Sequence, residues 1–431
     1  MKLQTHRPGS KQRRLSNQEP FILEPEEHPI CNEVLPLDVV WVLNRLRHAG
    51  YLAYIVGGGV RDLLLDKQPK DFDLSTNATP SQIRHLFFNC RIIGRRFKIV
   101  HIYFRDGHVI EVTTFRKLVK QKSLRTPLKD DNQFGSPSDD AWRRDLTING
   151  LFYDHATGKI IDYTGGIEDL DDNIARIIGE PNMRFQEDPV RMIRVIRHAS
   201  RLKFSIEEQT WDAICRNASK LQQCSEPRVL EEFLKELRGG HIRHSMKLFK
   251  ESGLLKSFSK RLYQWQETHR KPQTKSFYRR FGSLVKPEWG TTSAMGHNLL
   301  ALDKWTAQEL PLSDGLRLAA LFSPIAWSHV LKHGKPGVRT AQLWHKAVLN
   351  AVIPIAQDLN LKAAQKEKLV QIFQAYWRLH LLPQQKSLHT PLSKNPYTKE
   401  AALLLFLETN VRKYPCPEWL KDALPTSLHD L

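Results

Sequence analysis

The sequence contains few cysteines and no long apolar run. Its five cysteines are an odd number at scattered spacings, with no CxxC pair and no Cys/His ladder, so we expect reduced thiols and no structural metal. No apolar stretch reaches the roughly 18 to 20 residues that span a bilayer, and the N-terminus lacks the apolar segment of a signal peptide. These absences predict a protein without a membrane partner, and the cytoplasm is its expected location.

Acidic residues are outnumbered in this chain. The 65 Lys+Arg exceed the 46 Asp+Glu, which gives a formal net charge of +19 and a pI near 9.7. This excess favours an anionic partner, and nucleic acid is the leading candidate because neutralised phosphates release condensed counterions. A basic surface that serves only solubility would give the same composition. With 431 residues, of which 41% are hydrophobic, the chain can bury the cores of about two or three domains.

The sequence pattern changes along the chain. Residues 1–34 begin with a basic, polar stretch that lacks hydrophobic periodicity, which predicts a disordered arm. Residues 35–172 alternate helical stretches with short apolar runs, which predicts a mixed sheet covered by helices. From Ile174 onward the pattern is helical and no strand is expected. We therefore assign residues 173–265 and 266–431 to two helical regions.

Three elements of residues 35–172 are predicted with particular clarity. Apolar residues at helical spacing follow Leu35 and stop at Gly50, as in a helix that ends at a C-terminal glycine. The apolar run 51-YLAYIV-56 then predicts a strand. Two alternating runs, 98–104 and 108–115, flank an Asp-Gly pair and predict a hairpin.

Two aspartates stand one residue apart in 71-DFDLST-76. Side chains alternate along a strand, so Asp71 and Asp73 are expected on one face, roughly 7 Å apart at their backbones, with Phe72 in the core. Carboxylates this close raise each other's pKa, and bound cations relieve that cost. Two Mg²⁺ ions on such oxygens can activate a hydroxyl and neutralise a leaving phosphate. A solvated strand edge would produce the same DxD pattern.

A glycine triplet precedes the aspartates in 57-GGGVRD-62. Its glycines permit positive φ angles and a close approach of the backbone to a ligand, and the following helix offers N–H groups to a phosphate. Arg61 would add a bidentate cation for the same anion. An ordinary tight turn from strand to helix is the alternative. The patterns of a P-loop and of a GxGxxG dinucleotide site are both absent.

Further carboxylates follow along the chain. Glu111 lies on an alternating strand, where it is either solvated or joined to the aspartates across the sheet. In 143-RRDLTING-150, Asp145 follows Arg144 and could serve as a helix cap.

One helix, predicted over 187–204, carries a row of arginines. Asp188 and Pro189 form a suitable N-cap and first-turn pair. Four cations share one side of the helix, opposite its apolar residues: Arg191, Arg194, Arg197 and Arg201. No acid interrupts this charge for fifteen residues after Asp188. An anionic ligand along the stripe explains the pattern better than a solvated face does.

These motifs, in this order, resemble those of the class II nucleotidyltransferase superfamily, which comprises bacterial poly(A) polymerases and tRNA CCA-adding enzymes. The resemblance runs from about Tyr51 to Lys203 and covers the GGxVRD loop, the DxD pair, the RRD element and the EDxxR helix. It implies an α+β protein with a mixed-sheet nucleotidyltransferase head of the polymerase β type. All-helical neck, body and C-terminal domains would follow.

The resemblance also implies roles for individual residues. The catalytic acids would be Asp71, Asp73, Glu111 and Asp145, the first two as ligands of two Mg²⁺ ions. The nucleotide site would contain Gly58, Arg61, Arg144, Asp188, Arg191, Arg194 and Arg197. Gly58 and Arg61 would hold the triphosphate, while Asp188 and Arg191 would present hydrogen-bonding groups to the incoming base. Arg194 and Arg197 would reach phosphate or primer.

Within the superfamily, the details favour the bacterial poly(A) polymerases. The segment 92-IIGRRFKIVHI-102 stands where CCA-adding enzymes usually carry a segment similar to TGxxHGT. Asp66 departs from the family, which often has glycine there, and we expect this departure to be harmless.

The sequence therefore predicts a template-independent adenylyltransferase that adds AMP from ATP to RNA 3′ ends, with little sequence preference. The first alternative is a CCA-adding tRNA nucleotidyltransferase, and the second is a non-catalytic RNA-binding protein on a decayed head. The sequence identifies no particular protein partner.

Overall fold

The structure is a computed structural model that describes residues 19–94, 98–117, 134–269, 291–333, 340–380, 395–411 and 420. The chain divides into two compact units. Residues 1–184 and 203–211 belong to the first unit, and residues 185–202 and 212–431 belong to the second. Most of the predicted N-terminal arm, residues 1–18, lies outside the described residues.

The first unit is built on an eight-stranded mixed sheet with the order β1-β8-β7-β2-β3-β6-β5-β4. Its strands are β1 (Phe21–Leu23), β2 (Ala53–Val56), β3 (Asp73–Thr76), β4 (Cys90–Ile93), β5 (Ile99–Tyr103), β6 (Val109–Thr114), β7 (Leu151–Asp154) and β8 (Lys159–Asp162). All neighbouring strands are antiparallel except β3 and β6, which are parallel. The helices of this region are α1 (Leu37–His48), α2 (Gly58–Leu64), α3 (Pro80–Leu86), α4 (Pro137–Arg143) and α5 (Gly166–Asp171).

The predicted fold class, a mixed sheet followed by mainly helical structure, is confirmed. Helix α1 lies inside the stretch between Leu35 and Gly50, and β2 occupies the last four residues of the run at 51–56. The hairpin of β5 and β6 is paired from Tyr103↔Val109 to Ile99↔Thr113, and Gly107 of its turn has a φ of +88°. The Asp-Gly signal succeeded because this turn needs a left-handed residue that glycine supplies without strain.

Two predictions about strands were wrong. The arm was predicted as disordered to residue 34, but Phe21–Leu23 forms edge strand β1 on β8. No strand was expected after Ile174, yet Ile174–Ala175 (β9) pairs in parallel with Ser205–Ile206 (β10). Strands of two or three residues are too short to show a period of two, and backbone hydrogen bonds to a distant segment define them.

An aromatic core lies beneath the end of β2, where the glycine turn begins. Tyr54, Val56 and Phe152 are buried together with Phe115 and Ala141. The rings of Tyr54 and Phe152 meet edge to face at 6.0 Å between centroids. This packing fixes the strand that leads directly into Gly57.

All regular secondary structure in the described part of the second unit is helical. The segments that lie in or extend into it are α6 (Pro181–Glu187), α7 (Arg191–Leu202), α8 (Glu208–Asn217), α9 (Glu226–Arg238), α10 (Ile242–Glu251), α11 (Leu254–Phe258), α12 (Lys260–Thr268) and the later helices Thr292–Ala307, Asp314–His333, Thr340–Ala347, Ile353–Asp358, Ala363–His380 and Thr398–Val411. Trp327, Trp344 and Tyr376 are buried at the centre of the later helices, with the first two rings 4.8 Å apart between centroids. The carboxylate of Glu408 accepts hydrogen bonds from Ser323 and Tyr376 within this core.

The departure at Asp66 has a conformational cost that can be measured. Asp66 follows α2 with a φ of +56°, in the left-handed region that favours glycine. We expect Asp66→Gly to have a free energy of unfolding about 1 kcal/mol higher than that of Asp66→Ala, because only the alanine carries a Cβ in this conformation. Chemical denaturation of both variants measures the difference. Equal stabilities would contradict this explanation of the family's glycine.

Candidate active site

Parallel pairing of β3 with β6 brings carboxylates from distant parts of the sequence together. Asp73 is the first residue of β3 and lies in register with Glu111 of β6. Asp71 precedes the strand, and the order exposed, buried, exposed at Asp71, Phe72 and Asp73 agrees with the expected alternation. Phe72 lies in the core as predicted. The backbone thus brings the predicted residues Asp71, Asp73 and Glu111 to the same end of β3, and their joint catalytic role stays a prediction.

The electrostatics of Asp73 indicate a site for positive charge. Partial loss of hydration raises the pKa of Asp73, and the charges of Glu111 and Asp71 raise it further, while Arg144 opposes them. A bound cation would offset this repulsion, and oxygen donors of this kind suit Mg²⁺. The described residues contain no cluster of three or more His, Cys, Asp or Glu side chains already arranged around a metal position.

The glycine turn between β2 and α2 needs its first glycine for two reasons. Gly57 has a φ of +74°, and a Cβ at this position would lie 3.0 Å from Nη1 of Arg144. The N–H of Gly57 donates to the carbonyl of Leu151 on β7. The turn therefore brings bare backbone against an arginine beside the carboxylates, as a phosphate-binding loop requires.

Arg61 lies at this turn but is buried, with 1% of its surface exposed. Its guanidinium donates to the carboxylate of Asp62 at 2.9 and 2.7 Å and to the side-chain oxygen of Asn149. A Cβ at Gly58 would lie 3.4 Å from Nη2 of Arg61. The structure thus places the Arg61 guanidinium next to Gly58 and bonded to Asp62 and Asn149, and its direct contact with a triphosphate stays a prediction.

Asp140, which the sequence analysis missed, positions Arg144. The Asp140 carboxylate is 0% exposed and accepts from Nη2 of Arg144 at 2.9 Å and from Nε of Arg143 at 2.7 Å. Burial opposes ionisation of Asp140, but the two arginines outweigh it and lower its pKa. Arg144 also donates to Ser75 at 3.3 Å, and its guanidinium carbon lies 5.5 Å from the centre of the Phe152 ring. Asp140 precedes Arg143 by three residues and Arg144 by four, and this helical spacing of opposite charges could have predicted the ion pairs.

The RRD element is held through its backbone. Arg184, also missed in the sequence, donates to the carbonyls of Arg143 and Arg144 at 2.9 and 2.7 Å. The carbonyl of Asp145 accepts from the N–H of Ile178 at 2.9 Å, and the Asp145 side chain is partly exposed. These contacts fix where the element leaves α4, while the predicted catalytic role of Asp145 stays a prediction.

The predicted helix of residues 187–204 begins later than expected, at Arg191. Residues before it form α6, and the Asp188 carboxylate accepts from the N–H of Val190 at 3.3 Å and from Arg228 at 2.6 Å. Arg191 pairs with Glu187 at 3.3 Å. Pro189 follows Asp188 and cannot donate a backbone N–H, which favours the break between the two helices. Asp188 thus caps a turn rather than the first turn of α7.

Glu232 of α9 supplies the acid that the arginine stripe lacks in the sequence. Its side chain is 4% exposed and pairs with Arg194 at 3.2 Å and with Arg197. Burial opposes ionisation of Glu232, but Arg197 and Arg194 outweigh it and lower its pKa. The stripe is therefore partly neutralised within the second unit, which corrects the expectation of an unmixed cationic row. No periodicity could reveal this partner, because it lies more than 30 residues away.

Comparisons with known proteins agree with this architecture. Residues 53–176 match the family model of the poly A polymerase head domain, and residues 203–264 match that of a probable RNA and SrmB-binding site of polymerase A. Poly(A) polymerase I of Salmonella typhi is 46% identical over 229 residues, which are 51% of this chain and 49% of that protein. A CCA-adding enzyme of Lactobacillus helveticus is 41% identical over 214 residues, 49% of this chain and 53% of that protein.

A solved structure is similar over most of the chain. This structure, described as a tRNA-processing enzyme in an apo form, has a TM-score of 0.55 at 21% identity and covers 88% of this chain and 93% of its own. At this identity the similarity concerns the fold. The chain spans about half the length of the curated relatives it matches.

The first unit is thus a nucleotidyltransferase head, with its carboxylates at the start of β3 and a glycine turn beside them. More narrowly, residues 53–176 and 203–264 match family models of polymerase A, and about half of the chain is similar to bacterial poly(A) polymerases and CCA-adding enzymes. No helix among the described residues is long and apolar enough to cross a membrane.

Proposed function

We propose that this chain is a template-independent polynucleotide adenylyltransferase that transfers AMP from ATP to RNA 3′ ends, in RNA tailing, processing and decay. The observation that carries the proposal is the register of Asp73 with Glu111 beside the glycine turn, within a head domain of the poly A polymerase family. A cytoplasmic location is part of the same proposal.

The carboxylates would bind the cations that offset negative charge during nucleotidyl transfer. Asp71 and Asp73 would hold two Mg²⁺ ions, whose chemistry when bound is to activate the RNA 3′-hydroxyl and to offset negative charge on the leaving pyrophosphate. Glu111, in register with Asp73, adds to the negative field that attracts the cations. Asp145 would complete the group of catalytic acids from the RRD element.

The triphosphate would bind where the backbone of the glycine turn meets Arg144. Gly58 gives access to the backbone, and Arg144 is held in place by Asp140, so little side-chain freedom is lost on binding. Arg61 would support the turn through its hydrogen bonds to Asp62 and Asn149. The ATP α-phosphate would then face the RNA 3′-hydroxyl, with pyrophosphate leaving toward the turn.

Selection of the base is assigned to Asp188 and Arg191, with Arg194 and Arg197 directed to phosphate or primer. Asp188 is already hydrogen-bonded to Arg228, and Arg191 to Glu187, so each side chain has a defined position before nucleotide binds. Paired Asp and Arg groups can read the edge of a base. We also propose the division into an arm to residue 34, a head at 35–172, a neck at 173–265 and a body beyond it.

Single-nucleotide incorporation tests the proposal. We expect the purified protein to extend an oligo(A) primer with ATP in Mg²⁺ and to release pyrophosphate, and we expect chelation of Mg²⁺ to stop the reaction. The CCA-adding alternative, which the Lactobacillus helveticus relative supports, predicts CTP incorporation on tRNA that lacks its CCA end, without tailing of the oligomer. No release of pyrophosphate with any RNA would favour the non-catalytic alternative.

A further inference from the structure

A row of polar side chains crosses four strands of the head, from the carboxylates to the sheet edge. The strand register pairs Asp73 with Glu111, Glu111 with His101, and His101 with Arg91. Residues paired across neighbouring strands project from the same face of a sheet. At about 4.8 Å between strands, the row spans roughly 14 Å from β3 to edge strand β4.

His101 contacts Glu111 within this row, and Tyr103, two residues along β5 from His101, lies close to both His101 and Arg91. Nε2 of His101 lies 3.3 Å from Oε1 of Glu111, with their side chains 24% and 47% exposed. The His101 ring is 6.3 Å from the ring of Tyr103, between centroids. The guanidinium carbon of Arg91 lies 6.0 Å from the centre of the Tyr103 ring. Arg91, Tyr103 and His101 thus lie next to one another on the face of the sheet that also carries Glu111 and Asp73.

The exposure of these residues follows from the alternation of β5. Val100 and Ile102 are buried on one face of the strand, while His101 and Tyr103 on the other are only partly covered. Arg91 is exposed. An accessible surface of aromatic rings beside an arginine is a common platform for single-stranded nucleic acid, because bases stack on the rings and the cation attracts phosphate.

Charge along the sequence points to the same kind of occupant. Between Arg91 and Arg125 there are ten Lys or Arg and only two Asp or Glu, the latter being Asp106 and Glu111. The row also leads directly to the carboxylates at which a 3′-hydroxyl would react. A protein partner would not require rings and an arginine to end at that point.

We propose that Arg91, Tyr103 and His101 form the track on which the last nucleotides of the RNA lie. Bases stack on Tyr103 and His101, Arg91 contacts a backbone phosphate, and the 3′-hydroxyl is delivered at the Asp73 end of the row. This inference rests on the proposed function, because it assigns the RNA side of the same site.

Alanine at Tyr103 tests the track. We expect Tyr103→Ala to raise both the KM for an oligo(A) primer and the Kd of that primer, measured by fluorescence anisotropy without ATP, by about 5- to 150-fold. The KM for ATP should not change. Tyr103→Phe keeps the ring and should restore wild-type values. Arg91→Ala should reduce the slope of log Kd against log salt concentration by about one.

Arg105→Ala provides the matched control, since Arg105 is an exposed cation in the turn between the same two strands and lies outside the row. Arg105→Ala should leave the KM and the Kd for the oligo(A) primer at their wild-type values. Wild-type RNA constants in Tyr103→Ala, with adenylation intact, would overturn the track while sparing the proposed function. A different result is that the wild-type protein incorporates no nucleotide while Tyr103→Ala still weakens its binding of oligo(A). That result would support the RNA-binding track and reject the proposed enzymatic activity.

Discussion

Asp73→Asn is expected to reduce nucleotide incorporation by about a thousandfold or more while leaving the protein folded. Asp73 lies in register with Glu111, and its neutral replacement removes a charge that we propose binds Mg²⁺. Loss of several kcal/mol of charge stabilisation in the transition state corresponds to that factor, since each 1.4 kcal/mol is tenfold. Single-turnover extension of oligo(A) with saturating ATP measures the change.

The stability of the same variant separates a catalytic role from a structural one. Because the folded protein raises the pKa of Asp73, its charge is unfavourable in the native state at neutral pH. Asp73→Asn should therefore keep or slightly increase the free energy of unfolding, by no more than about 1 kcal/mol because solvent screens this exposed group. Asp106→Asn, in the exposed hairpin turn, should change neither quantity. Retained turnover in Asp73→Asn would reject the metal assignment.

Asp140→Ala is expected to destabilise the protein by about 3 kcal/mol or more. Removing this buried carboxylate leaves Arg143 and Arg144 without their shared acceptor, and breaking one side of a buried ion pair typically costs about 3 to 5 kcal/mol. Arg144 also loses its position beside Gly57 and Ser75, so the KM for ATP should rise as well. Denaturation of the purified variant at pH 7 measures the stability.

Asp139→Ala is the control for this loss. Asp139 lies beside Asp140 in α4, but it is more exposed and completes a capping box with Ser136, so its removal should cost only about 1 kcal/mol. A loss at Asp140 no greater than that at Asp139 would show that the ion pairs contribute little.

The pH dependence of stability gives a second measure of Asp140. Since its folded pKa is lowered, its contribution is present above the unfolded pKa of an aspartate, about 3.9, and is lost as the pH falls through the folded pKa. The difference in stability between wild type and Asp140→Ala should therefore shrink in acid.

Much of the fold could be predicted because its signals are local. The helix that ends before Gly50, the Asp-Gly hairpin and the alternation around Phe72 each depend on residues close in sequence. Motif order then indicated the head domain. Strands β1, β9 and β10 escaped prediction because two or three residues carry no period, and their partners lie far along the chain.

The candidate site likewise has features that were predictable from local sequence and features that depend on distant residues. The motifs supply the carboxylates, glycines and arginines of the candidate site, in an order that indicates nucleotidyl transfer. Their partners are set by the tertiary structure: Asp73 lies in register with Glu111 through parallel pairing, Arg61 donates to Asn149, and Arg194 pairs with Glu232. The physical reason is that strand register and buried ion pairs join residues tens of positions apart, so no local pattern of charge or hydrophobicity reveals them.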